Sequence, residues 1–313
     1  MSNPVLITGG MGYIGSRLAC AMLKAGTKVR LGTRHSEQPV PEQLAGAEPV
    51  KTDFASVESL KNACAGIKQI VHLAALNDAD CALDPIKAFE INVLGTLRLM
   101  EAARCAGIER FLYLSTAHVY RSPLVGTLTE ETLPRPAHIY GITHKAAEDL
   151  VLADTKGMAG VVIRLANGFG APVHAQVNCW MLLANDLCRQ AVTSRKLVLK
   201  STGMQQRNFI TSTDVTNAIT HFLQLPREQL GDGIFNIGSH KSMTVLAMTE
   251  LIADRCEQVL GFRPTIHRPS GDTVSASLHF DVSRAEAVGF IPADDYAEEV
   301  DECLRFCSNT FLA

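Results

Sequence analysis

Short apolar runs alternate with longer amphipathic stretches over the first two thirds of the chain. Val5-Leu6-Ile7 is followed by a helical pattern from Tyr13 to Lys24, then by Val29-Arg30-Leu31. Gln69-Ile70-Val71-His72-Leu73 precedes a long helical stretch from about Pro85 to Ala106, with proline well placed at a first helical position. Phe111-Leu112-Tyr113-Leu114, a second long helix over about 138–156, and Val161-Val162-Ile163 complete the set. Strands too apolar to face water on either side, alternating with helices, predict an α/β fold: a doubly wound parallel sheet covered on both faces.

Beyond about residue 170 the elements shorten and turns multiply, as at Ala171-Pro172, Gly231-Asp232-Gly233 and Pro269-Ser270-Gly271. The expected division is a dinucleotide-binding domain over 1–170, rejoined by about 205–238, and a smaller substrate-binding lobe from 171–204 and 239–313. The length of 313 residues suits two closely joined units. Twenty-nine basic against 32 acidic residues give a net charge of −3, which recruits neither nucleic acid nor an anionic membrane. No apolar run reaches the roughly 18 residues of a membrane span. No charged leader precedes the first strand, and the 9 cysteines are scattered without a Cys-x-x-Cys pair. These features predict a cytoplasmic protein with reduced thiols and no metal site.

Thr8-Gly9-Gly10-Met11-Gly12-Tyr13-Ile14-Gly15 follows the first strand and opens a helix. Glycines 9, 12 and 15 bare the backbone at a helix N-terminus, where free N–H groups attract phosphate, so the segment predicts a dinucleotide pyrophosphate site. The second strand ends Leu31-Gly32-Thr33-Arg34. Thr33 falls where an acidic residue would hold the ribose hydroxyls of NAD, and Arg34 offers a guanidinium for a 2′-phosphate. NADP is therefore expected, with NAD possible if Arg34 is only a loop charge. Asp53 reads either as a partner of the adenine amino group or as a helix cap.

The chain resembles the extended short-chain dehydrogenase/reductase family of nucleotide-sugar epimerases, dehydratases and reductases. The resemblance rests on segments in order: Thr8 to Gly15, His72-Leu73-Ala74-Ala75, Asn92-Val93-Leu94-Gly95-Thr96, Leu114-Ser115-Thr116-Ala117-His118-Val119-Tyr120, Tyr140-Gly141 with Glu148, Arg164-Leu165-Ala166-Asn167, Gly203 to Ile210 with Asp214, and Asn236-Ile237-Gly238. It implies a Rossmann-type fold whose cofactor lies against Gly9, Gly12, Tyr13, Ile14, Gly15, Leu73, Ala74, Ala75 and Asn92. It further implies that Tyr140 is the acid/base at a sugar hydroxyl and that Thr116, with Ser115 beside it, hydrogen-bonds the same oxygen. Asn167, Asn178, Arg207 and Arg268 match positions that hold the nucleotide sugar, and the two long helices match those that pair in homodimers. Asp214 reads as a cap for the helix beginning near residue 213–215.

One departure matters. The family places a lysine four residues after the tyrosine to lower its pKa, whereas here that residue is His144 and Lys145 comes one later. On a helix Lys145 is rotated by about 100° from the required face. Three readings follow: His144 stands in as an imidazolium or hydrogen-bond donor to the ribose, Lys145 reaches round, or the site is impaired and the protein is a nucleotide-binding module. Ala117 and His118 replace the Asp-Glu pair of sugar 4,6-dehydratases, which disfavours that reaction. His118 reads as a second acid/base or as a core histidine. The expected activity is NADPH-dependent reduction of a keto-sugar nucleotide; the alternatives are an epimerase holding NAD tightly and reduction of a smaller ketone.

Overall fold

A computed structural model describes residues 4–153, 157–271 and 275–312. Seven strands form one parallel sheet in the order Ile234–Ile237, Ala159–Leu165, Arg110–Thr116, Gln69–His72, Val5–Thr8, Val29–Thr33, Glu48–Lys51. The chain runs outward from Val5–Thr8 to Glu48–Lys51, then returns to pair Gln69–His72 on the other side of the first strand, with Thr8 opposite His72. In doubly wound sheets such a reversal sets a crevice at the carboxyl ends of the two strands, where ligands bind.

Alternation along each strand divides the core into two layers. Ile7, Leu31 and Val71 pack against Leu18, Ala19 and Met22 of the helix Tyr13–Lys24 and against Ile219 and Phe222 of Ser212–Gln224. Leu6, Ile70, Phe111 and Tyr113 face the opposite layer, formed by Leu99, Met100 and Ala103 of Gly95–Ala106 and Ala147 and Val151 of Ile139–Ala153. A third core joins Leu187, Cys188, Phe209, Met248, Ile252, Val300, Cys303 and Leu304 around the strand Gln206–Thr211. All nine cysteines are free thiols.

The stretch expected as one helix from Pro85 to Ala106 is continuous but not uniform. An α-turn over Pro85–Ala88 passes through a π-turn, Phe89–Leu94, before the α-helix Gly95–Ala106. The π-turn turns Asn92 into the interior, and such turns concentrate at functional sites. The second long helix is Ile139–Ala153; the remainder of its expected extent, 154–156, lies outside the described residues. Asp214 is not the cap expected of it. Thr211 caps the helix by accepting the Asp214 N–H, while the Asp214 carboxylate accepts the Thr211 hydroxyl and the N–H groups of Ala293 and Asp294, tying the C-terminal segment to this helix start.

Candidate active site

The glycine loop is built as its spacing requires. Gly9 has φ of 66°, a left-handed conformation that a side chain resists. A Cβ at Gly15 would lie 2.3 Å from the Gly9 carbonyl oxygen, so the helix can approach the loop only without one. Gly12 is the N-cap and offers no side chain to the first turn. The Tyr13 hydroxyl turns away from the loop and donates to the Gly170 carbonyl at 2.8 Å.

A buried polar chain locks this loop to the rest of the crevice. The Thr8 hydroxyl accepts the N–H groups of Leu73 and Ala74 and lies 2.6 Å from His72 Nδ1. His72 Nε2 lies 2.9 Å from the Thr96 hydroxyl, which donates to the Asn92 carbonyl. Asn92 then accepts the Leu76 N–H and donates to the Thr143 hydroxyl at 3.0 Å, reaching the helix that carries Tyr140. With Thr96 committed as donor to Asn92, His72 donates from Nε2 and accepts at Nδ1. His72 is thus a satisfied structural imidazole, and burial holds its pKa down to about 3.

Arg34 is exposed at the end of Val29–Thr33, beside the loop. The Asp53 carboxylate accepts the Ala55 N–H at 3.0 Å, while Ser56 caps the following helix, Val57–Cys64.

At the other side of the crevice, Thr116 ends its strand and Tyr140 stands in the first turn of Ile139–Ala153. Burial pushes the Tyr140 phenol up to about 12, and a hydrogen bond from Thr116 acts against that rise. Among the described residues no ammonium stands beside it, and Lys145 is turned to Asp149 one helical turn onward. His144 packs edge-on against the Tyr140 ring at 4.4 Å. Its Nδ1 lies 2.8 Å from the Tyr113 hydroxyl, and its Nε2 is buried with no partner among the described residues. Burial keeps the Tyr113 phenol protonated and finds it no other acceptor among the described residues, so Tyr113 donates to Nδ1 and the His144 proton resides on Nε2. Burial also lowers the His144 pKa to about 3, so the group is neutral at pH 7 and not an imidazolium.

Ser115, on the opposite side of its strand from Thr116, donates to Glu148 at 2.5 Å. Glu148 and Arg164 form a fully buried ion pair, 2.8 Å at its shortest, and Arg164 continues to the Tyr120 hydroxyl and thence to Asn236. Ser115 therefore serves the interior of the fold and does not face Tyr140.

The residues expected on the substrate side divide. Arg207 is half-buried, close enough to influence His118, and without a hydrogen bond or ion pair among the described residues. Asn167 is used structurally, donating to the Asn208 carbonyl at 2.9 Å. Asn178 is exposed in a loop, and exposed Arg268 donates to the Thr202 carbonyl. Asn208 both donates to the Ser239 carbonyl and accepts its N–H, a pair of bonds that an aspartate could not make. Sequence reasoning missed Tyr113, which its strand position marks only as core, and His138, whose ring stacks on Tyr140 at 6.2 Å.

The two neutral histidines dictate an acid response. An unfolded imidazole titrates near ~6.5, whereas His72 and His144 stay unprotonated down to about 3 in the fold. Below pH ~6.5 the unfolded chain binds more protons, so stability is fully present above that pH and is lost as pH falls toward 3. Urea unfolding at pH 7, 5.5 and 4.5 is expected to show this slope, and His144→Gln to make it shallower. An identical slope in the variant would contradict the burial argument.

Comparison with known proteins matches this geometry to one group. A model of the NAD dependent epimerase/dehydratase family matches residues 5–238. A ketoreductase of Stigmatella aurantiaca acting on 4-hydroxy-2-methyl-3-oxo-4-farnesyl-3,4-dihydroquinoline-1-oxide is 36% identical over 50% of this chain and 48% of its own. The match to UDP-glucose 4-epimerase of Streptomyces lividans, at 29% identity, likewise spans about half that relative, 54%. The dTDP-glucose 4,6-dehydratase of Streptomyces niveus is 28% identical over 96% of this chain and 92% of its own. Among solved structures, MoeE5 in complex with UDP-glucose and NAD superposes with a TM-score of 0.80 at 26% identity, covering 99% of this chain and all of the other.

Proposed function

Because the chain belongs to the NAD dependent epimerase/dehydratase family of nicotinamide-dependent enzymes, we propose that it is an NADPH-dependent reductase of a keto-sugar carried on a nucleoside diphosphate. The observation that supports a reductive role is the surroundings of Tyr140. A phenol raised to about 12 by burial, with Thr116 as its partner and no ammonium beside it among the described residues, keeps its proton at neutral pH and is placed to donate it. Reduction of a carbonyl needs a donor at the oxygen that becomes hydroxyl. Oxidation needs the reverse.

The residues present fit a dinucleotide. Gly9, Gly12 and Gly15 leave bare backbone at a helix start, and the unpartnered His144 Nε2–H is a donor suited to a ribose hydroxyl. When bound, the nicotinamide supplies the hydride. Tyr140 gives the proton at the carbonyl oxygen, and Thr116 fixes the Tyr140 hydroxyl. Tyr113 fixes the His144 tautomer. Arg207 meets the substrate diphosphate, for which its planar fork is suited. Lys145 takes no part, since Asp149 holds it.

Arg34, exposed beside the loop, selects NADPH through the 2′-phosphate. Arg34→Ala is expected to weaken NADPH binding about tenfold or more, a single charge-assisted contact's worth, and to leave NADH binding unchanged. Titration by nicotinamide fluorescence measures both; equal losses would remove Arg34 from cofactor choice. A second reading, an epimerase retaining NAD, is favoured by the full-length likeness to MoeE5 with UDP-glucose and NAD. Mass spectrometry of nucleotide released on denaturation separates the two: retained NAD supports the epimerase, and an empty protein preferring NADPH supports the reductase.

Leu83, Ile86, Phe89 and Leu94 are exposed apolar side chains along the segment Asp78–Leu94, and Ile142 is exposed on the helix Ile139–Ala153. Such a patch supports a homodimer through these helices.

A further inference from the structure

The helix that opens at the glycine loop is tied sideways to the strand that carries Arg207. Tyr13 and Arg17 stand one helical turn apart on Tyr13–Lys24. Both reach the ends of two short parallel strands, Asn167–Phe169 and Gln206–Thr211. After the first strand, the Gly170 carbonyl accepts the Tyr13 hydroxyl at 2.8 Å, and the Ala171 carbonyl accepts Arg17 Nη1 at 2.7 Å. After the second, the Ser212 hydroxyl lies 2.6 Å from that of Tyr13, and the Thr213 hydroxyl accepts Arg17 Nη2 at 3.0 Å. Glu299, buried on the C-terminal helix Tyr296–Phe311, closes the cluster. Its Oε2 accepts the Thr213 N–H and hydroxyl, and its Oε1 faces Arg17 Nη1 at 2.9 Å as an ion pair. A side chain at Gly170 would run into that carboxylate. Asn185 holds the same peptide from its other side, bonding both the N–H and the carbonyl of Gly170.

A planar guanidinium suits this junction. From one point it meets a carbonyl beyond one strand, a hydroxyl beyond the other, and a buried carboxylate that would otherwise be stranded. An ammonium is a single point of charge and matches that fork poorly. The helix side of the junction begins at Gly12 of the dinucleotide loop, and the strand side carries Arg207. We infer that Arg17, paired with Glu299, is a positioning residue for the substrate nucleotide, coupling the seat of the glycine-loop helix to the strand that holds Arg207. The inference rests on the reading of Arg207 as the diphosphate residue and adds to it a second residue that acts through the strand ends. A pyrophosphate at the helix start steadies the helix. Arg17 and Tyr13 then steady both strand ends, and a nucleoside diphosphate meets Arg207 already in place. Coupling of this kind is reciprocal, so each ligand tightens the other by the same factor.

The test titrates the whole chain calorimetrically with dTDP and with UDP, in the absence and presence of saturating NADPH. The expected result is about tenfold tighter binding of the preferred diphosphate when NADPH is present. The double variant Arg17→Met, Glu299→Gln removes both charges and strands neither. There the enhancement is expected to fall below about twofold, while each ligand alone binds as in the wild type. The KM for a keto-sugar nucleotide is expected to rise with kcat little changed, and Arg17→Lys to keep part of the coupling. A merely structural role would lower the unfolding midpoint and leave the ratio of the two affinities where it was. Tyr13→Phe removes one hydroxyl from the same junction, is expected to weaken the enhancement in the same sense, and decides the question if the double variant does not fold. Enhancement undiminished in the double variant overturns the proposal alone, as does a wild type that binds NADPH and diphosphate independently. A wild type that binds NADPH and neither diphosphate overturns the reading of Arg207, and this proposal with it.

Discussion

Tyr140→Phe is expected to lower the turnover of keto-sugar reduction by about a thousandfold, within the range of roughly 10²–10⁴ that a positioned acid contributes. The lost atom is the hydroxyl bonded by Thr116; the ring contacts to His138 and His144 remain. Binding of NADPH is expected to survive. Burial of the Tyr140 phenol also fixes a pH response. A donor whose pKa is raised from 10 to about 12 keeps its proton throughout the neutral and mildly alkaline range. Reduction should therefore not fall between pH 7 and 9 through loss of the Tyr140 proton, and neutral His144 adds no imidazolium whose loss would show there. Steady-state rates across that range check both statements, and a steep decline would place an ionised group beside the phenol.

The second large effect is on stability. Arg164→Ala removes the partner of a carboxylate that is wholly buried, leaving Glu148 with the Ser115 hydroxyl alone. Breaking such a pair costs about 3–5 kcal/mol, because the surviving charge is stranded in a medium that solvates it poorly. Replacing both members by apolar residues, as in Glu148→Leu with Arg164→Met, is expected to recover most of that loss. Urea unfolding measures each variant. A loss below about 1 kcal/mol for Arg164→Ala would show that water reaches the site.

Much of this architecture was legible because it is written in local spacing. The glycines at 9, 12 and 15 announce the loop, and the periodicity after Tyr13 gives the helix Tyr13–Lys24. Parallel strands buried on both faces read as apolar runs, and five of the seven appear that way. Glu48–Lys51 does not, since an edge strand tolerates charges and Pro49. Ile234–Ile237 joins the opposite edge only after a long excursion, beyond what periodicity reports.

The site was legible where residue type alone specifies chemistry, and obscure where distant residues decide the state of a group. His144 was identified as the departure from the lysine pattern, but its neutrality depends on Tyr113, 31 positions away, and on complete burial. Ser115 and Thr116 are adjacent in sequence and face opposite ways. Only the buried Glu148 reveals that the first is structural. The Thr8–His72–Thr96 chain likewise joins residues separated by 64 and 24 positions.

The proposed hydride transfer to a nucleotide-linked keto-sugar at Tyr140 is tested most directly by isotope transfer. The protein would be incubated with NADPH deuterated at the transferable C4 position and dTDP-4-keto-6-deoxyglucose or its UDP counterpart, and the product weighed by mass spectrometry. The expected product is a reduced sugar nucleotide one deuterium heavier than the unlabelled one, formed by the wild type and about a thousandfold more slowly by Tyr140→Phe. Deuterium passing only to a ketone without a phosphate group, or to the sugar at an equal rate in both proteins, would contradict it.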